Sequence, residues 1–286
     1  MHWQQILRII EERPQGEFPI LDCERQFFTG RKINRHPQKI TYDELIHRNF
    51  SIPEDGNLVS AIAGVSLQYF HDVHQTWGDD ALAYYRPFHG QRNDWGIHIL
   101  EEGVDYLATR IGDLADPGFN LSRLDVEYLA KQKLLLHELG HHAVEISHSL
   151  QEFDGVRDSY RRHQTLQQNE QMLHQNEEAV CNWNVKRNKH KLKIRALNHF
   201  NIISDFMHMQ PDGYNNFEST TNQNFLERIG IRLQPGLPQR DNLEREFRQH
   251  SNLSRLKPRS ARSIRYGFAV PIYLHTIRGR DLRRNN

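Results

Sequence analysis

The 286 residues are enough to bury a sizeable core, as one large domain or two modest ones. Hydrophobic residues make up 37% and charged ones 26%, and a formal net charge of +1 excludes a strong overall field toward nucleic acid or membrane. Two cysteines, Cys23 and Cys181, exclude a disulfide framework and lead us to expect a reducing, cytoplasmic setting.

Trp3, Ile6, Leu7 and Ile10 recur at helical spacing before Pro14 and Gly16, which predicts a short amphipathic helix at residues 3–12. The start shows no secretory-signal pattern. A second helix is expected over residues 57–74; its apolar part falls short of the ~20 residues that a membrane-spanning helix needs, so no membrane role is expected. In residues 95–112 the β-prone runs "GIHIL" and "VDYLATRI", separated by "EEG", predict a hairpin or edge strands. Beyond a loop with Pro117 and Gly118, Ser122 and Asp125 form a variant capping box, so a long helix starts there. Tyr128, Leu135, Leu139, Ala143 and Ile146 give it an apolar face, with His137 and His141 on a neighbouring one.

Gly155 interrupts this pattern. Residues 159–197, almost free of Gly and Pro, predict a second long helix folded back on the first, its Gln-rich first half solvated. A third segment from about Asn198 carries "MQPDGYNNF", another helix and a basic tail. In that tail "GFAVPIYLH" is β-prone, but Pro271 is expected to confine it to a sheet edge. These patterns divide the chain into residues 1–94, 95–215 and 216–286.

The chemistry concentrates in "LLLHELGHHAVEISH", residues 134–148. On a helix, "HELGH" sets His137 and His141 one turn apart, so both imidazoles reach one ion at roughly 2.0–2.1 Å, while Glu138 is free to act as a general base. The third ligand decides the class. A metzincin would have Gly and His where this chain has Val144 and Ser147. His148 lies about 10 Å further along the helix, too far to share the ion, and is expected at the surface. His142 points off the pair's face, and Glu145 has at most an outer role. Cys23, in "LDCERQ", lacks the setting of a peptide-deformylase ligand. What remains is a glutamate on a following helix, and "QNEEAVCNWNVKRN" begins 34 residues after His141.

That segment resembles the Glu-x-x-Ala-Asn pattern of gluzincin-like bacterial HExxH metallopeptidases, with Glu178, Cys181 and Asn182 in the Glu, Ala and Asn positions and Cys replacing Ala. "QPDGYNNF" is similar to a Pro-Gly-Tyr stretch of such proteins, which puts Gly213 and Tyr214 on the motif. The resemblance covers residues 95–215. It implies an α+β, mainly helical zincin-like metallopeptidase fold, with a small sheet packed on the HExxH helix and an edge strand lining the substrate cleft. It also implies Zn2+ held by His137, His141 and Glu178, Glu138 as the base, and a protein or peptide substrate. Tyr214 is the candidate to stabilise the oxyanion. Neighbours on a helix point about 100° apart, so Glu177 and Glu178 compete for the ion; Glu178 is preferred, with Glu177 supporting a ligating histidine. Cys181 can be read as a thiolate ligand, but a small buried residue between helices is expected, and Trp183 is expected in the core.

Nine lysines and arginines against Asp281 give residues 255–286 a charge of +8, and "VKRNKHKLKIR", residues 185–195, adds a second basic block. At most a weak nucleic-acid contact through the tail is expected. The rival to an enzyme is a non-catalytic zinc module that engages nucleic acid or a protein partner through this basic region. With no motif residue beyond Tyr214, the chain after about Arg255 is expected to be dispensable for zinc.

Overall fold

The computed structural model describes residues 38–50, 71, 74–75, 78–89, 95–116, 118, 120–195, 197–231, 240–257 and 269–275. The helix predicted at residues 3–12, most of that at 57–74, and Cys23 lie outside them. In chain order, β1 (Gln38–Ile40) leads into α1 (Tyr42–His47), which opens with a capping box between Thr41 and Glu44. The 3-10 turn Gly78–Ala81 precedes β2 (Ala83–Arg86), and β3 (Gly96–Leu100) runs directly into α2 (Glu101–Leu114). Helix α3 (Arg123–Phe153) is followed by α4 (Ser159–Asn169) and α5 (Gln171–Arg187). A two-stranded ribbon, β4 (Lys193–Ile194) with β5 (Leu197–Asn198), precedes α6 (Phe200–His208). The 3-10 turn Tyr214–Ser219, α7 (Phe225–Arg228), α8 (Arg240–His250) and β6 (Ile272–His275) complete the order. The result is an α+β, mainly helical arrangement with a small mixed sheet.

Three local readings change. "VDYLATRI" is helix and not strand: Val104, Leu107, Ala108 and Ile111 sit at i, i+3, i+4 and i+7, all buried, so the 3.6-residue period outweighs β-propensity. Glu101 and Glu102 suit the positive end of that helix. The second long helix ends at Arg187 and breaks at Glu170, whose backbone is extended. Strand β6 is not at an edge. The sheet order is β1-β6-β3-β2, with β6 parallel to β3 and antiparallel to β1. Pro271 stands just before the strand, so no ladder bond asks for its missing N–H; instead its carbonyl accepts from the Ile97 amide at 2.9 Å. Gly96 (φ +133°) makes this approach feasible, since a Cβ there would lie 2.5 Å from that carbonyl oxygen.

The Ser122–Asp125 capping box opens α3 as expected, and Leu129, Leu136 and Leu139 join Ile97, Ile99 and Ile272 in one core. The sheet draws its strands from all three sequence regions. Glu145 ties β2 and the chain after it to α3. It accepts from the Tyr85 hydroxyl at 2.7 Å and from the amides of Phe88 (3.1 Å) and His89 (2.9 Å), and its Oε1 meets His89 Nδ1 at 2.6 Å. His89 Nε2 reaches Glu152 at 3.2 Å.

Burial disfavours charge on His89, but its hydrogen bonds to Glu145 and Glu152 outweigh that and raise its pKa to about 9. A raised pKa contributes stability below the unfolded value of about 6.5 and loses it as pH climbs through about 9. Urea denaturation at pH 6 and pH 10 should therefore show wild type losing on the order of 3 kcal/mol more than His89→Gln over that range. The chain after Arg255 takes part in the fold, because it supplies β6 to the sheet. Ending the chain at Lys257 removes the buried Ile272 and Leu274, and should lower unfolding stability by at least about 4 kcal/mol in the same assay.

Candidate metal centre

His137 and His141 lie one turn apart on α3, and α5 crosses them with Glu177, Glu178, Cys181 and Asn182. The crossing is close because residue 140 has no side chain: a Cβ there would stand 2.8 Å from Cys181 Cα and 2.9 Å from its Sγ.

The hydrogen bonds behind the imidazoles set their tautomers. Asn182 Nδ2 donates to Gln210 Oε1 at 2.8 Å and to the Tyr214 carbonyl at 2.9 Å, so Oδ1 is the atom turned to His137 Nδ1, 2.9 Å away. His137 thus carries its proton on Nδ1. Glu177 serves His141 in the same way. Its Oε1 accepts from His141 Nδ1 at 2.6 Å, and its Oε2 accepts from His163 Nε2 at 2.5 Å and from Gln167. Burial opposes charge on Glu177, but the hydrogen bonds from His141 and His163 hold its carboxyl well below the usual range.

Glu178 turns the other way, with Oε2 3.2 Å from His137 Nε2 and 3.6 Å from His141 Nε2. Asp80 Oδ1 lies 3.9 Å from His141 Nε2. One atom each from Asp80, His137, His141 and Glu178 falls within 4.8 Å of the other three. His137 Nε2, His141 Nε2 and Glu178 Oε2 are buried, and none makes a well-directed hydrogen bond among the described residues. With both protons on Nδ1, lone pairs face lone pairs, which repel unless a cation sits between them. A proton on Nε2 would not point at Glu178, whereas four ligands at 2.0–2.1 Å from an ion stand about 3.4 Å apart, close to the 3.2 and 3.6 Å observed. These buried groups could bind a metal ion.

Both Glu138 oxygens are buried without a partner among the described residues. Burial raises its carboxyl pKa despite His137 and His141. Cys181 is buried against Gly140, as expected, but its thiol also lies within 4.8 Å of ligand atoms of both histidines. Burial pushes that thiol up, so it faces them as a neutral group. Tyr214 is buried, stacks on His137 (centroids 5.8 Å, 15°) and hydrogen-bonds Asp80. Trp183 lies in the core against Phe225. Glu145 is engaged away from the site, as described above, and His142 Nδ1 meets the Tyr85 hydroxyl at 2.8 Å.

His148 is not at the surface. It is 2% exposed, stacked on His163 at 4.3 Å, and held by Ser159 Oγ and the Ile229 carbonyl at 2.9 Å each. Sequence reasoning also missed Asp79, Asp80, Lys133 and His163. Their signals are the acidic pair after Gly78 and a lysine one turn before His137 on an otherwise apolar face; Lys133, fully buried, ion-pairs with Asp79.

Much of the 185–195 basic block is engaged within the fold. Lys186 pairs with Glu218, Arg187 lies over Trp183, Lys189 lies over Phe200, and Arg195 reaches Asp125 at 3.4 Å. Lys257 lies over Tyr42, and residues 258–268 and 276–286 of the tail fall outside the described residues. Among the described residues no helix is long and apolar enough to cross a membrane. No family model, curated protein or solved structure matches the chain.

Replacing Asn182 by Ala removes the group that holds His137 in its metal-facing tautomer. Competition with a chromophoric chelator should show divalent-metal affinity falling 10 to 100-fold, with helicity unchanged by circular dichroism.

Proposed function

We propose that the chain is a zinc-dependent metallopeptidase with a zincin-like fold, acting on protein or peptide substrates in the cytoplasm. One observation carries this: two imidazole nitrogens and a carboxylate oxygen converge, buried and unpartnered among the described residues, beside a second buried carboxylate, Glu138, that is equally unpartnered. The two-nitrogen, one-oxygen donor set of His137, His141 and Glu178 suits zinc, a borderline ion that accepts mixed ligands. The geometry favours Glu178 over Glu177 as the ligand, since Glu177 is engaged behind His141.

Zinc held there supplies Lewis acidity, which acidifies a water and polarises a carbonyl oxygen. Glu138 takes the proton from the attacking water and hands it to the leaving amine. A purely structural site has no use for this carboxylate, whose burial without a hydrogen bond is costly. Tyr214, stacked on His137, is our candidate to donate to the carbonyl oxygen as negative charge develops. Strand β2 lies at one edge of the sheet and begins shortly after Asp80, which suits the cleft-lining strand of the zincin reading. A non-catalytic zinc module that binds nucleic acid or a protein partner through its basic C-terminal region is the weaker alternative, because such a module has no use for the buried Glu138, unpaired among the described residues.

The test combines elemental analysis with cleavage profiling. Wild type should hold about one zinc per chain, His137→Ala should lose it, and Glu138→Gln should keep zinc while losing cleavage across a proteome-derived peptide library. Wild-type cleavage by Glu138→Gln would refute the assigned base, and unchanged zinc in His137→Ala would refute the site.

A further inference from the structure

The mechanism above gives Asp80 no task, and we propose that Asp80 is a fourth protein ligand that closes the metal site at rest, so that access for an outside ligand requires it to withdraw. This rests on the metal reading and adds to it a means of control.

Asp80 Oδ1 is 3.9 Å from His141 Nε2, and it shares one cluster with His137 and Glu178 in which the ligand atoms lie within 4.8 Å of one another. Against the roughly 3.4 Å spacing of tetrahedral ligands, its distance to His141 must shorten by about 0.5 Å, and no pair of ligand atoms in the cluster is more than 4.8 Å apart. The turn that carries it is held on several sides. Gly78 (φ +58°) packs so closely on Tyr214 that a Cβ there would lie 2.5 Å from the ring. Asp79 pairs with Lys133, one turn before His137, and its Oδ2 stands 3.4 Å from His137 Nδ1. The Leu82 amide donates to the Asp79 carbonyl at 2.7 Å, and the Tyr214 hydroxyl bonds Asp80 itself.

Asp80 also interacts electrostatically with Glu138 and Glu178 inside the same dry space. Three carboxylates around two neutral imidazoles repel one another, and a divalent cation held by two of them is the simplest way to make the group compatible. A fourth ligand from protein leaves no position for solvent, which is the mark of a closed site; a catalytic site needs that position open. Of the four candidate ligands Asp80 is the one to give way. Its turn spans four residues, whereas the other three sit on α3 and α5, and its contact to His141 is longer than that of Glu178.

Cobalt(II)-loaded full-length protein tests this, with azide as the probe ligand and visible absorption as the readout. The wild-type spectrum should stay unchanged on azide addition. Asp80→Ala, and the near-isosteric Asp80→Asn where alanine impairs folding, should become azide-sensitive and bind cobalt about tenfold more weakly or worse against a chelator. A wild-type site that answers azide as readily as either variant overturns the assignment of Asp80, and so does undiminished cobalt affinity in the folded variants. Failure of wild type to take up cobalt overturns the metal reading itself, and this proposal with it.

Discussion

The candidate metal centre depends on how closely α3 and α5 approach at Gly140. With a Cβ at that position 2.8 Å from the Cys181 backbone, any larger residue would force the helices apart. At the distance glycine permits, two turns of α3 that bear His137, Glu138 and His141 face the stretch of α5 that bears Glu177, Glu178, Cys181 and Asn182. The same closeness buries the acceptor atoms that meet there. Among the described residues they are offered no proton of usable geometry, and their repulsion is only weakly screened.

Adjacent glutamates on α5 divide the labour by direction alone. Glu178 faces the two Nε2 atoms, and Glu177, rotated about 100° away, grips His141 from behind. Glu177 is steadied in turn by His163, and His163 stacks on His148. This chain of contacts gives His148 a role that its distance along the helix from His141 does not suggest: it supports the residue that supports the residue that orients His141. It also accounts for the break at Glu170. On one straight helix His163 and Glu177 would stand about 21 Å apart, so their 2.5 Å contact exists only because α4 and α5 are separate helices.

These distinctions mark what was legible in the sequence. Local periodicity and spacing were enough for the Ser122–Asp125 cap, for the placing of His137 and His141 one turn apart, and for the divergence of Glu177 from Glu178, because each is settled within one or two turns of helix; the preference for Glu178 came from the resemblance. The helical period of residues 104–111 was equally local; there β-propensity concealed it. Long-range placement was not legible. Nothing in the residues around Glu170 breaks a helix, whereas the contacts of His163 and Gln167 with Glu177 require the break. Pro271 correctly signalled a missing donor, but a proline one residue ahead of a strand leaves that strand free to lie between two others, as β6 does. Asp80 had no local signal that tied it to histidines far along the chain; Lys133, anomalous on its buried face, was the one residue that asked for an acidic partner from elsewhere.

The Lys133–Asp79 pair bears on how the proposed metal site could be both closed and catalytic. A buried ion pair is weak support for stability in general, but it fixes position well, since separating it would strand two charges in a dry interior. Here it fixes the backbone of the turn Gly78–Ala81 against the helix of the two histidines, one turn from His137. Asp80 follows Asp79 directly, so its carboxylate can swing toward or away from the ion space while its backbone remains tethered. A ligand on a tethered turn stays within reach after it lets go, and its return restores four protein ligands without refolding. On the proposed reading, three ligands on rigid helices and one on such a turn would give a centre that holds its ion in either state while exposing it in only one.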